Sequence, residues 1–75
     1  MSHPSKSLTI LDYLYQNTDD KHEVSTRDLK NMLADAGMPV TDSRTIDEYV
    51  NQLIASGYSI AKRHENGRPI FYHVS

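Results

Sequence analysis

Residues 41–57 constrain the fold most, because this stretch opens on capping side chains, keeps one apolar stripe and closes on a glycine. Ile46, Tyr49, Val50, Leu53 and Ile54 follow the i, i+3, i+4, i+7, i+8 spacing of a single buried helix face. Thr41 or Asp42 can accept from the free amides of the first turn, and Gly57 suits the left-handed position beyond the last. Asp42, Ser43, Arg44, Thr45, Asp47 and Glu48 crowd polar groups at the N-terminal end of the same segment. A helix built this way needs other elements to cover its inner face.

The preceding residues supply two such elements. Residues 1–5 read as a flexible start, and the spacing predicts a helix from about Lys6 to Asn17, with Ser5 or Ser7 as cap. Its apolar face is Leu8, Leu11, Leu14 and Tyr15, widened by Ile10 and Tyr13. The polar run Asn17 to Glu23 breaks the period and reads as a loop, and the isolated Val24 suits a short strand contact. Ser25 is the expected cap of a second helix, with Asp28 near its N-terminal dipole. Leu29, Met32, Leu33 and Ala36 form that helix's inward face. Gly37 ends it, and Pro39 forbids continuation. Two helices joined by a few residues containing glycine meet the requirement of a helix-turn-helix.

After Gly57 the apolar period falls from 3.6 to 2. Tyr58 and Ile60 alternate with polar neighbours, and Ile70, Phe71, Tyr72 and Val74 supply a returning strand. Between them, Asn66-Gly67 is a strong hairpin signal, because a type I′ turn needs positive φ at both central residues. Pro69 fits only a strand start or an edge. With no repeat or linker, residues 1–75 read as a single α+β domain: a winged helix-turn-helix of three helices followed by a C-terminal β-hairpin wing.

Composition narrows the function classes. A chain of 75 residues buries only about 60% of its unfolded surface, which leaves little room for a catalytic cleft. No cysteine is present, so disulfides and thiolate metal sites are excluded, and a reducing compartment is expected. No apolar run approaches the roughly 20 residues of a membrane span, and the N-terminus lacks a signal peptide's apolar core, so a cytoplasmic location is expected. The net charge is −2, but residues 59–75 carry Lys62, Arg63 and Arg68 against Glu65 alone. Any electrostatic footprint for an anion therefore falls largely at the C-terminal end.

Two groups of residues are candidates for binding. Ser43, Arg44 and Thr45 stand where a helix N-terminus meets phosphate, and Arg44 can make a bidentate contact with guanine. The competing reading pairs Arg44 with Asp47 or Glu48 along the helix surface. Asp47 and Glu48 oppose a phosphate-facing role, although a carboxylate can accept from cytosine. Lys62, Arg63, His64 and Arg68 surround the expected hairpin tip, within reach of backbone phosphates, where lysine and arginine also guard an edge strand against aggregation.

The histidines at 3, 22, 64 and 73 lack ligand spacing, and Asp19-Asp20 lacks the glycine and alternating ligands of a calcium loop, so no metal is expected. Tyr13, Tyr15, Tyr49 and Tyr58 lie on or beside apolar stripes and are expected to pack. No phosphate-cradling glycine loop or nucleophile–base pair is present. Neither a cofactor nor catalysis is expected.

The run from Asp42 to Ile46, followed by Val50, Leu53, Gly57, Tyr58 and Ile60, resembles the Arg-Thr-Ile helix of WYL-type bacterial transcriptional regulators. Their N-terminal winged helix-turn-helix is related to DeoR-like and biotin-repressor-like domains. The resemblance extends upstream through Leu8 to Leu14, Thr18 to His22, Ser25 and Leu29, and downstream through Asn66-Gly67 to Phe71-Tyr72. It implies sequence-specific binding of double-stranded DNA, with the Arg44-Thr45 end of the third helix (helix 3, within residues 41–57) in the major groove. The leading function is a transcription regulator's DNA-binding domain that acts as a homodimer or as part of a dimeric protein.

Members of that group commonly carry an aromatic and a basic residue where this chain has Asp47 and Glu48, and continue into a large ligand-sensing region. The chain reads either as the DNA-binding domain of a longer regulator or as a free-standing, phage-derived relative. The alternative function is a protein-interaction winged helix, an inhibitor or adaptor whose acidic helix 3 face (Asp42, Asp47 and Glu48) meets a basic protein partner.

Overall fold

Ser5 fixes the start of the first helix by accepting from the Leu8 amide at 3.0 Å. The computed structural model describes residues 5–75, so all but Ser5 of the expected flexible start lies outside the described residues. Helix α1 spans Lys6–Asn17, strand β1 Val24–Ser25, helix α2 Thr26–Asp35, helix α3 Ser43–Ala55, strand β2 Ile60–Arg63 and strand β3 Phe71–Val74. Three helices and a small antiparallel sheet form the α+β winged-helix arrangement.

The caps explain where α2 and α3 begin and end. Ser25 Oγ accepts from the Asp28 amide at 3.2 Å while Asp28 Oδ2 accepts from the Ser25 amide at 2.9 Å, a reciprocal capping box. Asp42, rather than Thr41, caps α3 by accepting from the Arg44 amide at 2.9 Å. Both helices close in the same way. Gly37 and Gly57, at φ +79° and +104°, let Met38 N and Tyr58 N donate back to Leu33 O and Leu53 O at 2.8 and 3.2 Å.

The sheet differs from a plain hairpin. Its order is β1-β3-β2, with Val24 opposite Tyr72 on one side of β3 and Ile60 opposite Val74 on the other. The short contact expected of Val24 is thus a third strand, which makes β3 central. The β2–β3 connection is also longer than an Asn-Gly turn requires. Pairing ends at Arg63–Phe71, and Glu65 to Arg68 close a turn through Arg68 N and Glu65 O at 3.1 Å. Only Gly67 has positive φ, at +76°, which excludes the expected type I′ turn. The cause lies at Pro69, which has no N–H to pair, and at Ile70, whose carbonyl accepts from Thr26 N at 2.9 Å. Residues 64–70 therefore form an open wing loop, and Ile70 lies outside the strand.

Ile10, Leu11, Leu14, Val24, Leu29, Leu33, Ile46, Val50, Leu53 and Tyr72 make one core. Its α1 face is rotated from the expected one, with Ile10 and Leu14 fully covered and Leu8 and Tyr15 both 55% exposed. The rotation follows from α1 meeting α2, α3 and β3 together, which centres its buried stripe on Ile10 and Leu14. Ala36 is exposed rather than inward, because α2 ends at Asp35. Ile54, at the margin of the buried Ile46–Val50–Leu53 stripe, and Tyr58, beyond the end of α3, are also exposed, whereas Tyr13 and Tyr49 pack against the core as expected.

Thr18 is buried beyond the end of α1. It donates to Leu14 O at 2.7 Å and accepts from Val74 N at 3.0 Å, tying that helix end to β3. No helix among the described residues is long and apolar enough to cross a membrane.

Candidate nucleic-acid interface

A groove of about 690 Å³ opens where the N-terminal ends of α2 and α3 face the wing loop. Thr26 and Arg27 line it from α2, Ser43, Arg44 and Asp47 from α3, and His64 and Arg68 from the loop. The fold brings these segments together through Thr26. Its amide and hydroxyl both donate to Ile70 O, at 2.9 and 3.2 Å, and so hold the wing base against α2.

Arg27 was not a candidate in the sequence, although a signal was present. It is the second residue of α2, as Arg44 is the second residue of α3. A cation there opposes the helix dipole, at a cost of about 0.3–1 kcal/mol each. Neither guanidinium forms an ion pair among the described residues, so the expected alternative pairing of Arg44 with Asp47 or Glu48 is not made. An anion in the groove would meet both arginines and both helix ends, reversing the unfavourable placement. Arg68 adds a third guanidinium, 3.7 Å from Glu65 and largely exposed.

Asp47 is the carboxylate on this groove, and its charge is turned toward the sheet. Oδ1 accepts from Tyr72 OH at 3.0 Å and from Lys62 Nζ at 3.1 Å, and Oδ2 accepts from Asn51 Nδ2 at 3.2 Å. Lys62 Nζ donates a second bond to Asn51 Oδ1 at 2.7 Å. Tyr72 lies beneath this network, fully covered, and its hydroxyl stands 3.3 Å from Thr26 Oγ1, whose single proton it shares with Ile70 O. Burial pushes the Tyr72 phenol well above its usual range; the Thr26 bond opposes the shift and the Asp47 charge adds to it.

The wing cations divide into two sets. His64 and Arg68 reach the groove, whereas Lys62 and Arg63 are occupied elsewhere. Arg63 Nη2 donates to Glu23 Oε1 at 2.6 Å, Arg63 Nη1 pairs with Glu65, and the guanidinium lies 4.8 Å from the Phe71 ring centroid. Bonding to Arg63 holds the Glu23 carboxyl below its usual range and the guanidinium above its own. The cluster ties the loop before β1 to β2 and β3. Thr45 is half-buried and Glu48 exposed; neither lines the groove.

No family model matches the chain, nor does a curated protein or a solved structure.

Between α1 and β1, Asp19 and His22 close a small turn through paired backbone bonds of 3.1 and 3.3 Å. The Lys21 amide, followed by the His22 side chain, holds the Asp19 carboxyl below its usual value. Among the described residues, no three His, Asp or Glu side chains group as metal ligands. The groove thus gathers Arg27, Arg44 and Arg68 at the starts of two helices and the wing loop, with its one carboxylate, Asp47, bonded to Tyr72 and Lys62.

Proposed function

We propose that this domain binds double-stranded DNA as a transcription regulator or the DNA-binding part of one, alone or as a dimer. The observation that carries this reading is the meeting of Arg27 and Arg44 in one groove without acidic partners. The first turn of α3 enters the major groove, where Arg44 reaches base edges or the adjoining phosphate, flanked by Ser43 and Thr45. Arg27 and Arg68 hold the sugar-phosphate backbone on either side. The resemblance of Arg44, Thr45 and Ile46 to the WYL-type helix supports the same orientation.

Salt dependence tests it. On a random-sequence duplex, three arginine–phosphate contacts correspond to a slope of log K against log salt of about −2.7, and Arg27→Ala removes about 0.9 of it. Fluorescence anisotropy of a labelled 20-base-pair duplex measures both quantities. No binding at about 10 mM salt, where phosphate attraction is least screened, refutes the reading.

The second reading, a protein-interaction module, is favoured by Asp42 and Glu48, both exposed and outside any ion pair among the described residues. Asp47 gives it less support, since that carboxylate is engaged with Lys62 and Tyr72. Under this reading a basic protein partner covers the acidic face and the duplex titration is blank.

A further inference from the structure

We infer that Asp47 sets the sequence-independent affinity of the groove by withholding Lys62 from phosphate. The inference rests on the DNA-binding reading and concerns regulation of the same surface. Lys62 lies on β2 directly opposite Tyr72, and its ammonium donates to Asp47 Oδ1 at 3.1 Å and Asn51 Oδ1 at 2.7 Å. Two of its three N–H donors are thus committed to α3. Its side chain is 31% exposed and that of Asp47 is 24% exposed, so water screens this pair less than a pair at the wing tip.

The carboxylate is itself held. Tyr72 OH donates to Asp47 Oδ1 from the core, and Asn51 Nδ2 donates to Oδ2 from the next turn of α3. Asp47 consequently cannot swing outward to act as a base reader without leaving three donors. Asp47 lines the groove beside Arg27 and Arg44, while Lys62, which does not line it, is held against that carboxylate from β2; released, its long stem adds a phosphate contact beside the groove. An additional non-selective contact strengthens binding to every sequence equally and so leaves less room for base edges to decide. Asp47 acts as a specificity-determining residue by masking a neighbouring cation.

The test is a salt titration of the full chain on a random-sequence 20-base-pair duplex. Asp47→Asn keeps an acceptor for Tyr72 and removes the charge that holds Lys62. The slope should steepen by about 0.9, which is about eightfold tighter binding at 0.1 M salt if the curves meet at 1 M. Adding Lys62→Gln to that variant should return the slope to the wild-type value. An unchanged slope in D47N, or a steepened one that K62Q does not restore, overturns the inference while leaving wild-type binding intact. A wild-type chain that binds no duplex overturns the DNA-binding reading and this inference together.

A measurement on the wild-type chain covers the case of a variant that does not fold. Acetylation of Lys62 by an amine-reactive ester, followed by mass spectrometry, should proceed at the same rate with and without the duplex. Protection of Lys62 by the duplex overturns the masking.

Discussion

Deleting one oxygen from Tyr72 tests the network that joins α2, α3 and the sheet. In Tyr72→Phe the ring stays in the core, so no cavity of consequence opens and the change isolates the hydroxyl. That hydroxyl donates to Asp47 at 3.0 Å and accepts from Thr26 at 3.3 Å on a side chain with 0% exposure. A hydrogen bond to a charged group contributes about 1.5–3 kcal/mol. The lower end applies, because Asp47 retains Lys62 and Asn51, and Thr26 retains the Ile70 carbonyl.

A loss of about 1.5 kcal/mol lowers Tm by about 6–12 °C in a domain of this size. Thermal and urea denaturation at neutral pH, followed by circular dichroism, measure it, with an unchanged urea slope showing that the folded state is the same. A loss under about 0.5 kcal/mol at unchanged slope refutes the claim that the hydroxyl links the three elements.

The same residue gives an alkaline signature. The folded chain holds the Tyr72 proton above the ordinary phenol value of 10.0, chiefly because burial disfavours the phenolate. The associated stability is fully present below that value. It is lost as pH rises toward the folded-state value, because only the unfolded chain ionises there, at up to about 1.4 kcal/mol per pH unit. Between about pH 9 and 11 the wild type should therefore lose stability more steeply than Tyr72→Phe. Parallel curves would mean that the phenol is not desolvated by the fold.

Two further substitutions separate capping from packing. Ser25→Ala removes the acceptor for the Asp28 amide and leaves Asp28 bonded to the backbone of residue 25, so urea denaturation should show a loss of about 1 kcal/mol. Gly37→Ala meets no atom within 4 Å but places a Cβ on a φ of +79°, so the loss of about 1–2 kcal/mol should appear in thermal melts without a change in far-ultraviolet dichroism.

The helices were legible because their limits are written in local chemistry. Ser5, Ser25 and Asp42 each stand one residue before a helix and cap it, and Gly37 and Gly57 follow with positive φ. The rotation of α1 was not legible, since Leu8 and Ile10 are equally apolar and only the joint packing against α2, α3 and β3 selects Ile10. The wing was half legible. Asn66-Gly67 marks the turn, but Pro69 and the Thr26–Ile70 bonds, formed between residues far apart in the chain, stop the ladder short of it.

At the candidate site, the helix-start position that marks Arg44 holds equally for Arg27 in α2, and only the groove between the two helices brings them together. Lys62 and Arg63 looked available because their partners, Asp47 and Glu23, come from other elements. Ion pairs between distant residues leave no mark on local composition.

The central place of β3 has a consequence for the order in which the contacts of the fold can form. Helices α1 to α3 can form from neighbours in the chain, yet Thr26, Val24 and Asp47 all await contacts with Tyr72. Closing so long a loop carries an entropic cost that the helical contacts must offset beforehand. Without residues 71–74 in place, the core lacks the Tyr72 ring and the network of Thr26 and Asp47 lacks its shared partner. Completion of the core and assembly of the arginine-lined groove are therefore one coupled event, because both wait on the same strand.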